Sequence, residues 1–282
     1  MHVPHFPEMS LFQAEIVFPS EAGTEPGQII VTFRPAASET PSDDNDAKPN
    51  RILHIPLCPD TRQLEELAIM MHQSPTKGYN MGAQYNDWFS EWFGYPVVLA
   101  YLGPHSRRVL GSFGPSKSAA HAGWLGSLGG EEEERITFAD TAPYLLVSAT
   151  SVDNVSERLE GGLDMDVTKF RPNIVVAGAK EAFEEDFWAE VVIGSGKEGK
   201  ARLLLTANCV RCQSLNVDYA TGAMAQGEMG NVLKKLMKDR RVDKGAKFSP
   251  VFGRYVFLDG ESEGQAVHHL STFISAPSHQ DS

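Results

Sequence analysis

Cysteine is scarce in this chain: 282 residues hold three, Cys58, Cys209 and Cys212. An odd number without a secretory leader excludes the disulfide framework of small secreted domains and points to a reducing, intracellular setting, cytoplasmic or mitochondrial. No run of about 18 apolar residues occurs, so no segment is expected to span a membrane. The opening Met1–Pro7 has neither a basic n-region nor an Arg-rich amphipathic pattern, so a targeting signal is not expected in this chain. Basic charge is short as well: 25 Lys and Arg face 37 Asp and Glu, a net charge of -12. Without a compensating basic stripe, that balance excludes a nucleic-acid binder. There is no G-x-S-x-G elbow, P-loop, H-E-x-x-H or internal repeat. No histidine lies between His121 and His268, so Cys209-x-x-Cys212 lacks the partners a structural zinc site needs.

What is present reads as an ordinary globular chain, 41% hydrophobic and 22% charged, long enough for one large domain or two modest ones. Residues 11–18 and 28–33 are apolar, β-branched runs that predict an antiparallel pair, and Ile52 begins a third strand ending at Pro56. The Pro-, Ser- and Asp-rich stretch 36–50 predicts a flexible loop. Asp60 and Gln63 have capping-box spacing, and Leu64, Leu67, Ala68 and Met71 recur at helical intervals, which predicts a helix over 61–72. Trp88, Phe89, Trp92 and Phe93 predict a second helix over 85–93, its aromatics forming core and not a ligand box. The Gly- and Ser-rich segment around 116–135, with Glu131 to Glu134, predicts a linker between residues 1–115 and 136–262; residues 263–282 read as a polar tail. Beyond the linker the chain predicts strands at 144–148, 174–177, 188–193, 201–207 and 251–258, with helices at 153–159 and 231–241. Short strands with few helices suggest a β-barrel-like core with helices outside it.

Two motifs need discounting. Gly194-Ser195-Gly196-Lys197-Glu198-Gly199 spells the dinucleotide fingerprint, but β-like residues follow where a helix should open, so a hairpin turn is the better account. His268 and His269 sit in the polar tail without companions at metal spacing. Cys212 is different, because Arg211 stands beside it. A thiolate is a soft metal ligand that a guanidinium favours over the thiol, and the guanidinium also grips phosphate. Two half-buried structural cysteines on a strand edge fit the same residues. A cluster for cofactor contact would comprise Arg171, Asn173, Arg211, Cys212 and Tyr255. Arg171 precedes Pro172, which biases it toward an extended backbone.

Three segments in order carry a resemblance: Phe170-Arg171-Pro172-Asn173-Ile174-Val175-Val176, then Arg211-Cys212 with Val217-Asp218-x-x-Thr221-Gly222, then Ser249-Pro250-Val251-Phe252-Gly253-Arg254-Tyr255. From about 138 to 258 the chain resembles the MOSC domain family, closest to its amidoxime-reducing and YcbX-type branches. The resemblance implies an α+β, β-rich fold: a β-barrel-like MOSC domain with peripheral helices, preceded by a partial N-terminal MOSC β-barrel-type domain. It implies Cys212 as the catalytic thiolate on molybdenum. Arg171, Asn173, Arg211, Tyr255 and, less closely matched, Ser148 would contact the molybdenum cofactor, and Cys209 would not. It also implies reduction of N-hydroxylated substrates with electrons from a flavoprotein reductase through a b-type cytochrome; the family at large is further associated with pyridoxal phosphate binding. A non-catalytic carrier of cofactor or sulfur, or an inactive fragment, is the alternative. Relatives begin with a Tyr-Pro-x-Lys-Ser segment that grips the cofactor phosphate and close with a Gly-x-Ile-x-Val-Gly-Asp-x-Val strand. This chain starts near the following Pro-x-Met segment (Phe6-Pro7-Glu8-Met9) and runs from Gly260 into His268. Those contacts and that strand are therefore expected to be missing from it.

Overall fold

The computed structural model describes residues 2–20, 26–36, 50–111, 113–115, 134–194, 200–262 and 272–273. The expected loop 36–50, linker 116–135 and Gly-rich turn 194–199 lie, except for their end residues, outside the described residues. The chain forms two compact units, Met1–Met70 with Pro75–Ser106 and Asn216–Gly230, and Met71–Ser74 with Arg107–Leu215 and Asn231–Ser282.

In the first unit, β1 (Phe12–Val17), β2 (Gln28–Phe33) and β3 (Ile52–Pro56) form an antiparallel sheet, Phe12 opposite Phe33 and Gln28 opposite Pro56. Its apolar face carries Val31, Phe33, Leu53 and Ile55 and meets the aromatic stripe of α1 (Ala83–Phe93). Phe33 stacks on Trp92 at 4.2 Å, Phe12 on Phe93 at 4.5 Å, and the Trp88 indole donates to the Asn50 carbonyl at 2.6 Å. The helix stops at Gly94, whose φ of 75° is the left-handed cap a glycine adopts at low cost.

The helix expected over 61–72 is not formed. Glu66–Met71 is instead strand β4, joined to β5 (Ser74–Asn80), which also pairs with β6 (Ala100–Tyr101). Leu67 to Met71 is continuously apolar, a run whose period fits a helix or a buried strand equally. The turn tips the balance: His72 and Gln73 both take positive φ, 49° and 67°, as a two-residue type I′ hairpin requires. Asp60 accepts the Arg62 N–H at 3.1 Å and caps no helix. Of the apolar stretch 96–102, only Ala100–Tyr101 is a strand.

In the second unit, β7 (Arg107–Arg108) pairs with β8 (Arg135–Ile136). Six strands then make the main sheet: β9 (Tyr144–Ser148), β10 (Ile174–Val176), β11 (Glu190–Ile193), β12 (Ala201–Val210), β15 (Val251–Leu258) and β16 (Thr272–Phe273). Their spatial order is β10-β9-β15-β12-β11-β16, with β10–β9 parallel and the other pairs antiparallel. The sheet curls into a half-barrel around Leu146, Val176, Val191, Leu203 and Val256. Thr272 and Phe273, in the stretch expected as a polar tail, pair with Ile193 and Val192 at its edge. Between residues 216 and 224, β13 (Val217–Asp218) and β14 (Ala223–Met224) form a small hairpin in the first unit. Among the described residues two α-helices accompany the main sheet's unit, α2 (Ala149–Glu157) and α3 (Val232–Leu236). The predicted helix over 231–241 keeps only five residues as α3 and then continues in turns.

Candidate functional site

The site grows from the end of β12. Register shifts interrupt the β12–β15 ladder between Leu205 and Ala207 and again between Asn208 and Val210. Such bulges re-aim side chains near sites. Past them, Arg211 leaves the sheet with its N–H bonded to the Pro250 carbonyl at 2.8 Å, and Cys212 opens the short 3-10 turn Gln213–Asn216. On the facing strand, Gly253 has φ of 79°, and a Cβ there would lie 2.7 Å from the Leu146 carbonyl oxygen. The Phe-Gly-Arg sequence is thus what lets β15 approach β9 closely.

A cavity of about 230 Å³ opens at this point, and Arg171, Asn173, Arg211, Cys212 and Tyr255 all line it. The sixth expected residue, Ser148, does not. It is buried at the end of β9, its Oγ has no partner, and its N–H donates to Glu185 Oε1 at 3.4 Å.

Each wall residue is held differently. The Arg211 guanidinium is fixed by two carbonyls, Nε to Phe252 at 2.9 Å and Nη1 to Phe170 at 2.8 Å. It also lies over the Phe170 ring at 5.4 Å and the Phe252 ring at 5.9 Å, which stack on each other at 3.8 Å. Its Nη2 is buried and has no acceptor among the described residues. Leaving a charged donor unmatched is costly, so this nitrogen calls for an acceptor that the described residues do not supply. Cys212 is an exposed free thiol, its Sγ 3.3 Å from Ser214 Oγ. Asn173 accepts the Leu145 N–H through Oδ1 at 2.9 Å, leaving its amide NH2 as the group that can address a ligand. Burial, with Cys209 beside it, pushes the Tyr255 phenol far above its usual range, so it is a neutral donor throughout the physiological range. Cys209 is buried, 5% exposed.

Arg171 departs from the extended backbone expected before a proline. It closes the 3-10 turn Val167–Phe170 in the left-handed region, φ 56° and ψ 43°, its N–H bonded to the Thr168 carbonyl at 2.8 Å. The turn's hydrogen bond overrides the pre-proline preference, and the side chain is delivered to the cavity, Nη1 3.3 Å from Asp140 Oδ2.

Sequence reasoning missed Asp140 and Arg107. Asp140 lines the cavity, and Arg107, 2% exposed, donates to the carbonyls of Thr137 at 3.1 Å, Ala139, and Asp140 at 2.6 Å. A buried arginine wrapped by carbonyls has no local signature; only the β7–β8 pairing brings it under the loop.

Among the described residues no group of three or more His, Cys, Asp or Glu is placed to hold a metal ion. A metal at Cys212 would therefore take its remaining ligands from a non-protein group. The unmatched Arg211 Nη2 beside a soft thiol fits such a group if it is anionic. The volume of about 230 Å³ lies below the roughly 300–1,000 Å³ of sites that enclose whole small molecules. No lysine lines the cavity, so it offers no amine for a Schiff base with pyridoxal phosphate. A larger cavity of about 600 Å³ elsewhere in the same unit, lined by Lys180, Glu184, Asp186 and Arg240 among others, contains no thiol.

A curled, strand-rich half-barrel sheet thus sets an exposed thiol and a pinned arginine in the lining of one cavity. Residues 133–269 match the family model described as MOSC domain. Among curated proteins, mitochondrial amidoxime-reducing component 1 of Homo sapiens is 34% identical over 128 residues, 45% of this chain and 36% of that protein. Mitochondrial amidoxime reducing component 2 of Macaca fascicularis is 34% identical over 130 residues, 46% of this chain and 36% of that protein. The molybdenum cofactor sulfurase of Oryza sativa subsp. japonica is 26% identical over 185 residues, 63% of this chain and 20% of that protein. The chain spans little more than a third of the length of the amidoxime-reducing relatives it matches. No helix among the described residues is long and apolar enough to cross a membrane.

Proposed function

We propose that this chain is a molybdenum-cofactor oxidoreductase that reduces N-hydroxylated compounds of the amidoxime type. The observation that carries the reading is Arg211: three of its polar groups are tied to backbone carbonyls, and the fourth, Nη2, is buried without a partner beside the exposed thiol of Cys212. Names of relatives that reduce amidoximes support the substrate class. Residues 1–115 would be a partial N-terminal MOSC β domain and 136–262 the MOSC domain proper.

The cofactor would supply two-electron oxygen-atom chemistry at molybdenum. The overall change is R–C(NH2)=N–OH + 2 e⁻ + 2 H⁺ → R–C(NH2)=NH + H2O, the electrons reaching the site from reduced nicotinamide through a flavoprotein and a b-type cytochrome. Cys212 would be the protein's thiolate ligand. Arg211 Nη2 and Arg171 would hold the anionic part of the cofactor, and Asn173 and Tyr255 would offer neutral donors to its polar edges. Phe170 and Phe252 keep the Arg211 guanidinium flat and oriented, which preserves its fork geometry for an oxyanion. By the same resemblance the protein would work in mitochondria or the cytoplasm.

A second reading is favoured by the rice sulfurase, which aligns over more of this chain than the amidoxime-reducing relatives do. There Cys212 would carry cofactor or sulfur without turnover. The separating experiment is molybdenum content per chain from a cofactor-producing host, with benzamidoxime turnover under a reconstituted electron chain. Near-stoichiometric metal that is lost in Cys212→Ala, together with turnover, supports the reductase. Metal without turnover supports a cofactor carrier, and no metal in either protein removes the reductase and leaves the sulfur-carrier or inactive-fragment reading.

A further inference from the structure

Asp140 is the one acid among the described residues lining the cavity. Its main chain is fixed from behind, because the buried Arg107 guanidinium binds its carbonyl and those of Thr137 and Ala139. Its carboxylate faces two side chains at the rim. Arg171 Nη1 is 3.3 Å from Oδ2 and His72 Nε2, on the β4–β5 turn, is 3.5 Å from Oδ1. Both contacts are longer than the roughly 2.7–2.9 Å of a tight charge-assisted bond. Both partners are also about half exposed, Arg171 at 58% and His72 at 51%. The carboxylate therefore keeps acceptor capacity toward the cavity.

We infer that Asp140 is the specificity-determining residue of this cavity, accepting a hydrogen bond from the amino group an amidoxime carries next to its N-hydroxy nitrogen. The inference rests on the amidoxime-reducing reading above and adds which feature of the substrate is recognised. An amidoxime and a hydroxamic acid share the N–O bond to be broken. They differ at the neighbouring position, where the first presents an NH2 donor and the second a carbonyl acceptor. A fixed carboxylate attracts the donor and repels the acceptor, while Arg171 and Arg211 are suited to the anionic group. The division of labour follows from charge: cations for the cofactor, the single acid for the substrate.

The test compares wild type, Asp140→Asn and Asp140→Glu, each corrected for its molybdenum content, on benzamidoxime and benzhydroxamic acid. Asp140→Asn is expected to lower the ratio of kcat/KM for benzamidoxime over benzhydroxamic acid about tenfold, since an amide loses the charge yet keeps the shape. Asp140→Glu, which keeps the charge, is expected to retain most of the preference. A second readout needs no cofactor: benzamidinium titrated into metal-free protein and followed by NMR should bind about tenfold more weakly to Asp140→Asn than to wild type. An unchanged substrate ratio with equal benzamidinium binding overturns the inference and leaves the reductase reading standing. Failure of molybdenum-loaded wild type to reduce either compound sinks the reductase reading instead. Benzamidinium binding alone then upholds or removes Asp140 as the acceptor.

Discussion

Arg171 is held at φ 56° with a proline after it, a backbone state that costs a non-glycine residue on the order of 1–3 kcal/mol and persists where surroundings impose it. Strain at a residue whose side chain enters a cavity is the pattern of a position kept for its side chain. Arg171→Gly should therefore raise stability by about 1 kcal/mol in chemical denaturation, because the exposed contact to Asp140 contributes little. The same variant should retain less molybdenum than wild type when expressed with cofactor; equal retention would show that Arg171 does not hold the group. The resemblance nominated the Arg, and the structure places it in the cavity lining, but its neighbour Pro172 pointed to the wrong backbone region. A turn's hydrogen bond to Thr168 decides φ, and that bond is invisible until Val167–Phe170 is folded.

Strand β15 depends on Gly253, where positive φ coincides with a 2.7 Å approach to the Leu146 carbonyl and 2.8 Å to a Val147 methyl. Gly253→Ala should destabilise the protein by more than about 2 kcal/mol, read as a lower denaturation midpoint, since strain and clash add. Gly222 has the same character in the β13–β14 turn, φ 63° with a would-be Cβ 2.8 Å from Leu11. Helix α2 shows the opposite economy. Ser148 makes no side-chain cap, and the carboxylate of Glu185 takes its place, accepting from the Ser148 N–H and from Ser151 Oγ at 2.8 Å. Burial pushes the Glu185 carboxyl upward, outweighing those hydrogen bonds. Its folded pKa therefore exceeds its unfolded one, so it stabilises fully below the usual carboxylate range and loses that contribution as pH rises through the folded value. Accordingly the stability of Glu185→Gln relative to wild type should increase from pH 4 to pH 8. A difference independent of pH would mean Glu185 titrates normally.

At the scale of the whole molecule, a ligand that binds only the folded protein stabilises it by mass action, about 2.7 kcal/mol at a hundredfold excess over Kd. Protein purified from a cofactor-producing host should thus melt above protein from a cofactor-deficient host. The difference should vanish in Cys212→Ala if that thiol is the attachment point. Equal melting temperatures in wild type would place the cofactor outside the described cavity. The net charge of -12 bears on partners as well: the surface field would slow approach of an acidic electron donor and favour one with a basic face, more so at low salt.

Some of this protein was determined by the sequence alone. Alternating or β-branched runs set β1 to β3, β9, β11, β12 and β15, because a two-residue period commits a strand to one buried face. The aromatic stripe and Gly94 set α1. The ordered segments around Arg171, Cys212 and Gly253 nominated five residues that share a cavity, since a side chain's chemistry and its short-range neighbours are properties of the chain. Tertiary structure decided the rest. Leu67 to Met71 is apolar at every position, so periodicity could not separate helix from strand, and pairing with β5 through the His72–Gln73 turn made it a strand. Ser148 is buried at the end of β9 and outside the lining of this cavity, its N–H directed to Glu185, a placement that only the packed fold decides. Asp140 and Arg107 carry no motif, because their significance lies in what the fold sets against them: a loop held by its carbonyls, and a carboxylate facing Arg171 and His72. Local sequence encodes which groups are available; only long-range packing decides which of them meet.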